Sequence, residues 1–400
     1  MPALAQRLSR VRVAATVAMT IRARELRAAG HDVIALTIGE PDFASPPHAI
    51  EAAHQAALAG QTKYTAQDGV PALKQAIQRK FKRDNGLDFA LDEIMVANGG
   101  KQVIFDAMMA TIDDGDEVVI PAPYWGAYPL TTRLCGGEPV IVTCPQNNGF
   151  KLRPEDLDAA ITPKTKWLVL NFPNNPTGAA CSPEELRAIA DVMLKHPHVW
   201  IMSDDMYEHL MYADFGYSTL AQVEPKLRDR TLTISGVSKT YAMTGWRIGF
   251  GAGPKDLIKA MVNIQGHATA GVSGITQAAA AAALDGPQAQ VAEQAAIYRQ
   301  RRDIVVDALN AMPGISCHRP EGAFYVYPNI AGCLGRVTPK GAKIETDSDF
   351  AMALLDEAHV ALVGGEGFGM SPYLRISYAT DTDSLREAMK RMAAFTAALK

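Results

Sequence analysis

The sequence predicts an α/β protein with a mainly parallel sheet covered by helices, together with a smaller α+β unit. Between residues 93 and 253, short β-branched runs alternate with amphipathic stretches, which is the pattern of strands joined by crossover helices. Beyond residue 310 the pattern changes to short strand-like runs such as GAFYVYP and YLRISYA. At 400 residues with 48% hydrophobic residues, the chain is long enough to bury two such units.

The predicted strands of the larger sheet are short apolar runs. They are EIMVA (93–97), EVVIP (117–121), EPVIVTC (138–144), KWLVLNF (166–172), HVWIMSDD (198–205), TLTISG (231–236) and RIGFGAG (247–253). Amphipathic segments such as KQVIFDAMMATI and SPEELRAIADVMLKH separate several of them. These segments predict helices that cover the sheet.

The remaining segments complete the predicted architecture. Residues 255–310 read as mostly helical, and the N-terminal segment ATVAMTIRARELRAAG is expected to pack on the smaller unit. We therefore expect an N-terminal arm with part of the small domain (1–45), a large domain (46–290) and a small C-terminal domain (291–400).

Composition excludes several classes of function. The net charge of −4 and the lack of a basic face argue against nucleic acid as a partner. The five cysteines lie far apart, with no CxxC and no histidine at metal-ligand spacing, so we expect no metal site and a reducing cytoplasm. No signal-like N-terminus and no uninterrupted apolar run of membrane-spanning length are present, so neither export nor a membrane span is expected.

Reactive and polar side chains follow the predicted strands. Ligands of open α/β sheets bind at the carboxyl ends of the strands, so these positions are candidates for a site. Gly99 and Gly100 follow the first strand at a predicted helix start, where backbone N–H groups can bind a phosphate. The later strand ends carry Trp125, Asn175, Asp204, Tyr207, Lys239 and Arg247.

Each of these residues has an ordinary structural explanation when it is taken alone. Trp125 could be a core residue, and Asn175 or Asp204 could cap a helix or a strand. Arg247 could form a structural ion pair, and Lys239 could be a loop lysine. However, five strand ends carry groups that suit one ligand. An amine, a buried carboxylate and a phosphate cradle together are what pyridoxal 5′-phosphate demands.

The motifs resemble those of a known family. The stretch SGVSKTYAMTGWRIG (235–249) is similar to the pyridoxal-phosphate attachment signature of the class I aminotransferases, and NNPTG and SDDMY precede it in that family's order. LTIGEPDF (36–43), KYTAQDGVP (63–71) and YLRISYAT (373–380) extend the resemblance over essentially the whole chain, closest to the bacterial aspartate aminotransferases. The resemblance implies fold type I of the pyridoxal-phosphate-dependent transferases, with 46–290 as the cofactor-binding domain.

The resemblance also implies catalytic roles. Lys239 resembles the lysine that forms a Schiff base with the cofactor and then moves a proton between Cα and C4′. Asp204 resembles the carboxylate that pairs with the pyridine nitrogen, in preference to Asp205, because the family spacing is D-x-x-Y. Tyr207 and Asn175 resemble the donors to the 3′ oxygen of the ring.

Further contacts with the cofactor follow from the same resemblance. The implied phosphate cup consists of Arg247, Ser238 and the backbone of Gly100 and Lys101. Trp125 is expected to stack on the planar ring. Tyr64 resembles a tyrosine that reaches the phosphate from the neighbouring subunit. The active sites would then be shared within a homodimer.

The substrate contacts are implied in the same way. Arg375 resembles the arginine that binds the α-carboxylate, a task that suits the planar guanidinium group. Gly39 resembles the position where the backbone approaches the substrate, and Trp125 and Asn175 are expected to line the same space.

Two cations could decide which amino acid enters. Lys101 resembles a lysine that, in one bacterial branch, meets the distal carboxylate of aspartate; an outward-pointing lysine at a helix start is the alternative. Arg12 could add a second cation for larger dicarboxylates such as prephenate, or it could be an exposed arm residue.

These assignments predict an aminotransferase that moves the amino group of L-aspartate or glutamate to a 2-oxo acid such as 2-oxoglutarate. Aromatic or prephenate-accepting aminotransferases, a β-lyase and a cyclopropane-forming synthase on the same fold are alternatives. A non-enzymatic regulator would carry an added DNA-binding domain, for which the roughly 30 residues before the first motif are too few. A cofactor-independent binding protein is a further alternative.

Overall fold

The computed structural model describes residues 4–11 and 15–400. Within these residues the strands are β1 (Ile34–Ala35), β2 (Ile94–Ala97), β3 (Glu117–Ala122), β4 (Glu138–Thr143), β5 (Thr165–Leu170), β6 (Trp200–Asp204), β7 (Thr231–Gly236), β8 (Gly249–Ala252), β9 (Tyr325–Val326), β10 (Val360–Ala361), β11 (Val363–Gly364) and β12 (Leu374–Ser377).

The same residues form α-helices between and around the strands. These are α1 (Ala15–Ala28), α2 (Pro47–Leu58), α3 (Pro71–Asn85), α4 (Gly100–Thr111), α5 (Ala127–Leu134), α6 (Pro154–Ala160), α7 (Pro183–Lys195), α8 (Leu220–Val223), α9 (Lys255–Ala268), α10 (Gly274–Asp285), α11 (Ala289–Asn310), α12 (Asp347–Ala358) and α13 (Thr382–Ala397). None of these helices is long and apolar enough to cross a membrane.

Of the strands described, β2 to β8 form one sheet in the order β2-β8-β7-β6-β5-β3-β4. The pairs from β7 to β4 run parallel, whereas β8 lies antiparallel between β2 and β7. The central strands are buried on both faces, which explains their continuous apolar sequences. Each predicted run between 93 and 253 overlaps one of these strands, and the predicted α/β class is confirmed.

One covering helix, α7, begins with a capping box. At α7, the Ser182 hydroxyl accepts a hydrogen bond from the Glu185 backbone N–H at 3.2 Å, and the Glu185 carboxylate accepts one from the Ser182 N–H at 2.8 Å. Pro183 occupies the first helical position, where its missing N–H costs nothing. The apolar face of α7 then packs into the core with Leu186 and Ile189.

A second group of elements packs around β9, β11 and β12. β12 lies antiparallel between β11 and β9, and β1 pairs in parallel with β10 through Ile34 and Val360. The Arg22 guanidinium on α1 contacts the Asp356 carboxylate on α12 at 2.9 Å. One cluster of buried apolar side chains joins these N-terminal and C-terminal elements. The domain boundaries at 45 and 290 stay predictions.

Candidate active site

A cavity of about 590 Å³ opens at the carboxyl ends of the parallel strands. Segments that lie far apart in the chain supply its walls. The predicted residues that line it are Gly39, Gly100, Lys101, Trp125, Asn175, Asp204, Tyr207, Ser238, Lys239, Arg247 and Arg375. We call this space the central cavity.

Lys239 follows β7 and reaches the cavity between small neighbours. Its Nζ donates a hydrogen bond to the backbone oxygen of Gly39 at 2.5 Å. Burial lowers the pKa of Lys239 to about 8, and the charges of Arg375 and Arg247 add to this effect, whereas nearby carboxylates oppose it. The amine is therefore neutral in a substantial fraction of molecules near pH 8. It can act as a nucleophile or as a proton acceptor.

Asp204 ends β6 and lines the cavity. The Tyr128 hydroxyl donates to Oδ2 at 2.6 Å, and the Asn171 amide donates to the Asp204 backbone oxygen at 2.9 Å. Oδ1 is buried and has no hydrogen-bond partner among the described residues. Burial raises the pKa of Asp204 to about 6, against the Tyr128 hydrogen bond and the Lys239 charge. A buried carboxylate with a free oxygen needs a cationic N–H donor to satisfy it.

Asp205 has a different environment from its neighbour. Its Oδ1 accepts a hydrogen bond from the Ser203 hydroxyl at 2.6 Å, and it does not line the central cavity. Burial, together with the charge of Glu208, raises the pKa of Asp205 to about 7. The geometry therefore favours Asp204 over Asp205 as the carboxylate of the site, as the spacing to Tyr207 suggests.

The N-terminus of α4 and two side chains form an anion-binding end of the cavity. Gly99 has a φ of 91°, and a Cβ there would lie 2.5 Å from the Arg247 guanidinium, so both the backbone and the space require glycine. Arg247 is held by a hydrogen bond of 3.1 Å to the Asn98 backbone oxygen. Gly100 and Ser238 line the same end. Helix N–H groups, a hydroxyl and a guanidinium together suit a phosphate.

Arg375 on β12 is buried and held in place from several sides. Its Nη1 donates to the Asn175 Oδ1 at 3.1 Å, and its Nη2 donates to the Thr37 backbone oxygen at 2.6 Å. The guanidinium carbon lies 5.0 Å from the Tyr325 ring centroid and 4.8 Å from that of Phe368. Its Nε, also buried, has no partner in the part of the chain that the structure describes. A fixed guanidinium with an unused donor suits a carboxylate ligand.

A pair of phenols connects Tyr207 to the Gly39 segment. The hydroxyls of Tyr207 and Tyr325 lie 2.9 Å apart. A Cβ at Gly39 would come within 2.1 Å of the Tyr325 hydroxyl, so this close approach requires glycine. The segment that contains Gly39 thereby closes one side of the cavity.

Lys101 is exposed and lies at the wall of the cavity. Its Nζ lies 4.9 Å from the centroid of the Trp125 ring, and both residues line the cavity. Trp125 itself packs edge-on against Tyr128 at 5.5 Å. The arrangement places a cation and an indole face together at the cavity wall.

Of the two remaining predicted residues, Tyr64 does not line this cavity and Arg12 cannot be compared with it. Tyr64 is 97% exposed, so its phenol projects away from the chain that carries it. Arg12 lies outside the described residues.

Sequence reasoning did not identify three residues that shape the site. Tyr128 stands three residues after Trp125 in the same stretch after β3, and Asn171 directly follows β5. Asn171 is a strand end and Tyr128 lies in the first turn of the helix that follows β3, so a search of the segments after the strands could have included both. Tyr325 belongs to β9 in the other group of elements, and only the packing brings it to Tyr207.

Comparisons with known proteins agree over the whole length of the chain. A family profile described as aminotransferase class I and II matches residues 31–392. The chain is 54% identical over 396 residues to a protein of Cereibacter sphaeroides named aspartate/prephenate aminotransferase, with 99% of each chain covered. It is 52% identical over 390 residues to a Rhizobium meliloti protein named aspartate aminotransferase, with 98% of this chain and 95% of that one covered.

Solved structures give the same result. The crystal structure of the aspartate aminotransferase from Rhizobium meliloti superposes with a TM-score of 0.97 at 51% identity and covers 100% of both chains. An aspartate aminotransferase from Thermus thermophilus, solved with maleate, superposes with a TM-score of 0.92 at 40% identity, covering 99% of this chain and 100% of that one. These neighbours confirm the fold type that the motifs imply.

Proposed function

The chain belongs to the class I and II aminotransferases, and from this premise we propose that it moves the amino group of L-aspartate or L-glutamate to a 2-oxo acid such as 2-oxoglutarate. The observation that carries the proposal is the content of the central cavity. A lysine amine of lowered pKa, a buried carboxylate with a free oxygen and a buried guanidinium all face the same space.

The residues of the cavity fit pyridoxal 5′-phosphate, the cofactor of this family. The N-terminus of α4, with Ser238 and Arg247, would hold the phosphate. Asp204 Oδ1 would accept a hydrogen bond from the protonated ring nitrogen. Lys239 would form the covalent link, and Trp125 would stack on the ring. When bound, the cofactor supplies an electron-withdrawing ring that stabilises negative charge at the substrate Cα.

The chain's own residues would then bind the substrate and move its proton. Arg375 would bind the α-carboxylate through its unused Nε and fix the orientation of the Cα–H bond. The Lys239 amine would accept the Cα proton, a role that its lowered pKa suits. Asn175 and Tyr207 would donate to the ring's 3′ oxygen, and the Gly39 segment would exclude water from this side.

The preference for dicarboxylates would rest on Lys101. Its Nζ lies over the Trp125 ring at the cavity wall, where it would meet the distal carboxylate of the substrate.

The active unit would be a homodimer in which Tyr64 of one chain completes the phosphate site of the other. The support is that Tyr64 is 97% exposed and does not line its own cavity. An exposed phenol costs little to bury at an interface and can donate one hydrogen bond there.

Half-reactions with single amino acids test the proposal. Purified protein loaded with pyridoxal phosphate is mixed with one amino acid at a time, and conversion to pyridoxamine phosphate is followed by absorbance. Aspartate and glutamate are expected to convert the cofactor, and lysine or methionine much less. Borohydride reduction followed by peptide mapping should label Lys239; a label on a different lysine would refute the assignment.

A prephenate-accepting aminotransferase is a second candidate. The Cereibacter sphaeroides relative carries both substrates in its name, and prephenate resembles aspartate in having two carboxylates. Transfer from aspartate to prephenate, measured beside transfer to 2-oxoglutarate, distinguishes a broad enzyme from a narrow one.

The cytoplasm is the proposed compartment. All five cysteines lie among the described residues and carry free thiols, and burial raises the pKa of Cys144 to about 12. Such inert thiols persist in reducing surroundings. Cell fractionation followed by an activity assay checks the assignment.

A further inference from the structure

A closed group of buried polar side chains lies behind the central cavity. It consists of Lys80 and Asn85 on α3, Glu208 in the segment after β6, and Ser235 on β7, and we call it the Glu208 cluster. All four residues are buried, and none of them lines the cavity.

Short contacts join every member of the cluster. Lys80 Nζ lies 2.5 Å from Glu208 Oε1 and donates to Asn85 Oδ1 at 2.7 Å. The Asn85 amide donates to Glu208 Oε2 at 3.0 Å, and the Ser235 hydroxyl donates to Glu208 Oε1 at 2.7 Å. Lys80 Nζ also lies 4.7 Å from the Phe81 ring centroid. Within the described residues, each charged or amide group of the cluster therefore has its partners inside it.

Among the residues described, the cluster has no free polar group with which to bind a ligand, and it adds little net stability. No oxygen or nitrogen of these four side chains is left without a partner in the described structure. Burial would raise the pKa of Glu208, but the charges of Lys80 and His209 and the hydrogen bonds hold it below its ordinary value, so the carboxylate is ionised. A buried ion pair gains little over apolar packing of the same volume, and its known use is to fix register.

The position of the cluster shows what it can fix. Glu208 comes directly after Tyr207 and four residues after Asp204, and Ser235 comes four residues before Lys239. The Ser235–Glu208 hydrogen bond therefore ties the segment that carries the carboxylate and the phenol to the strand that leads to the lysine.

A second contact repeats this link on the far side of the lysine. His209 lies 3.2 Å from the hydroxyl of Thr240, the residue after Lys239, and 3.2 Å from the Asp84 carboxylate on α3. The segment with Glu208 and His209 is thus fastened to the end of α3, and Ser235 and Thr240 on either side of Lys239 are fastened to that segment. A helix is a stiffer support than a loop, so the two segments keep a constant separation.

We propose that Glu208 is a positioning residue that fixes Asp204 and Tyr207 relative to Lys239 through Ser235 and α3. The proposal rests on the proposed function for the roles of these three residues. Proton transfer at the lysine depends on its placement against the ring that Asp204 holds, and a misplacement of about 1 Å can cost up to a hundredfold in rate.

Ser235→Ala tests the link because it removes only the bond to β7 and leaves the Lys80–Glu208–Asn85 contacts in place. The matched control is Thr231→Val, which removes a buried hydroxyl at the opposite end of the same strand, where it donates to the Leu227 backbone oxygen at 2.8 Å. In the loaded enzyme, Ser235→Ala is expected to lower kcat about tenfold with KM for aspartate within about twofold, and the control to change neither.

A spectroscopic titration separates positioning from a merely structural role. The visible absorbance of the lysine-linked cofactor changes with pH, and the midpoint depends on how Lys239 and Asp204 are placed. Relative to the wild type, the midpoint of this titration is expected to shift in Ser235→Ala and to remain unchanged in Thr231→Val. The Tm of the two variants is expected to fall by similar amounts. If Ser235→Ala and Thr231→Val have the same midpoint and the same kcat, the proposal is overturned.

Lys80→Met/Glu208→Gln provides a second test that leaves no buried charge unpaired. It is expected to shift the absorbance midpoint in the same direction as Ser235→Ala; an unshifted midpoint contradicts the proposal. If the wild type binds the cofactor but transfers no amino group, the proposed function fails, and the titration still decides the positioning role.

Discussion

The Tyr128 hydroxyl donates a hydrogen bond of 2.6 Å to Asp204 Oδ2, so that only Oδ1 of this buried carboxylate remains free among the described residues. The bond holds the carboxylate of a residue that lines the central cavity. It also lowers the pKa of Asp204, but burial outweighs this effect, and the pKa stands raised at about 6.

Tyr128→Phe is expected to raise the pKa of Asp204 further. A carboxyl of raised pKa is neutral over a wider acidic range, so the acidic limb of the pH profile should move to higher pH. Loss of this hydrogen bond to a charged group is expected to lower kcat/KM about tenfold near pH 6.5. The profile of kcat/KM for aspartate measures both effects. Tyr124→Phe, which alters a phenol outside the cavity, is the control and should leave the limb unchanged.

Asp204→Asn and Asp205→Asn should differ strongly in activity. Only Asp204 lines the cavity, whereas Asp205 is bonded to Ser203 behind it. Loss of the Asp204 charge removes a stabilising charge at the reacting centre, for which about a hundredfold or more in kcat is expected. Asp205→Asn is expected to cost less than about tenfold. Similar kcat values for the two variants would show that Asp204 does not have the role proposed.

The buried carboxyl of Asp106, which does not line the cavity, makes the folding stability depend on pH. Neither carboxyl oxygen has a partner in the described structure, and burial raises the pKa of Asp106 to about 7. The folded state therefore binds more protons than the unfolded state between about pH 4 and 7, and the stability that this carboxyl contributes falls as the pH rises through that range.

Asp106→Asn should be more stable than the wild type at pH 8, by about 1 kcal/mol after allowance for solvent screening, with the difference vanishing near pH 4. Urea unfolding at both pH values measures this. A constant difference at the two pH values would mean that Asp106 does not titrate in this range.

Lys101→Ala is expected to impair dicarboxylic substrates selectively. Arg375 would serve the α-carboxylate of every amino acid, whereas Lys101 can serve only a distal carboxylate. A charge-assisted hydrogen bond is worth about 1.5 to 3 kcal/mol, which is roughly ten to a hundred and fifty fold in the ratio of kcat/KM for aspartate to that for phenylalanine. Lys101→Arg keeps the charge and should retain most of the ratio. If the ratio is unchanged in Lys101→Ala, the distal carboxylate binds elsewhere.

Tyr64→Ala and Lys239→Ala chains should restore activity when they are mixed and refolded together. In a mixed dimer, one site receives an intact lysine from its own chain and an intact Tyr64 from the other. With equal amounts and random pairing, about a quarter of the sites are complete. Each variant alone serves as the control. Activity no higher than the sum of the separate variants would argue against shared sites.

The sequence predicts the strands of the large sheet because they are buried on both faces and read as continuous apolar runs. It also predicts Lys239, Asp204 and Arg247 as site residues, because the carboxyl ends of neighbouring strands meet at one edge. The strand order and direction alone bring these strand ends together. Side chains that follow the strands therefore lie close to one another, whatever the packing of the other side chains.

Contacts between elements that are not consecutive could not be predicted in this way. The Tyr128–Asp204 bond connects α5 to the end of β6, across the intervening strand β5. The Tyr207–Tyr325 contact depends on how β9 packs against the large sheet. Neither distance follows from local periodicity, since each depends on side-chain packing between distant segments.

The walls of the central cavity run from Thr37 to Arg375 along the chain. A translation product that stops before β12 would still contain the lysine, the carboxylate and the phosphate-binding helix end. It would lack the guanidinium that holds the amino acid. If such a fragment folded, it could capture the cofactor without turning over a substrate.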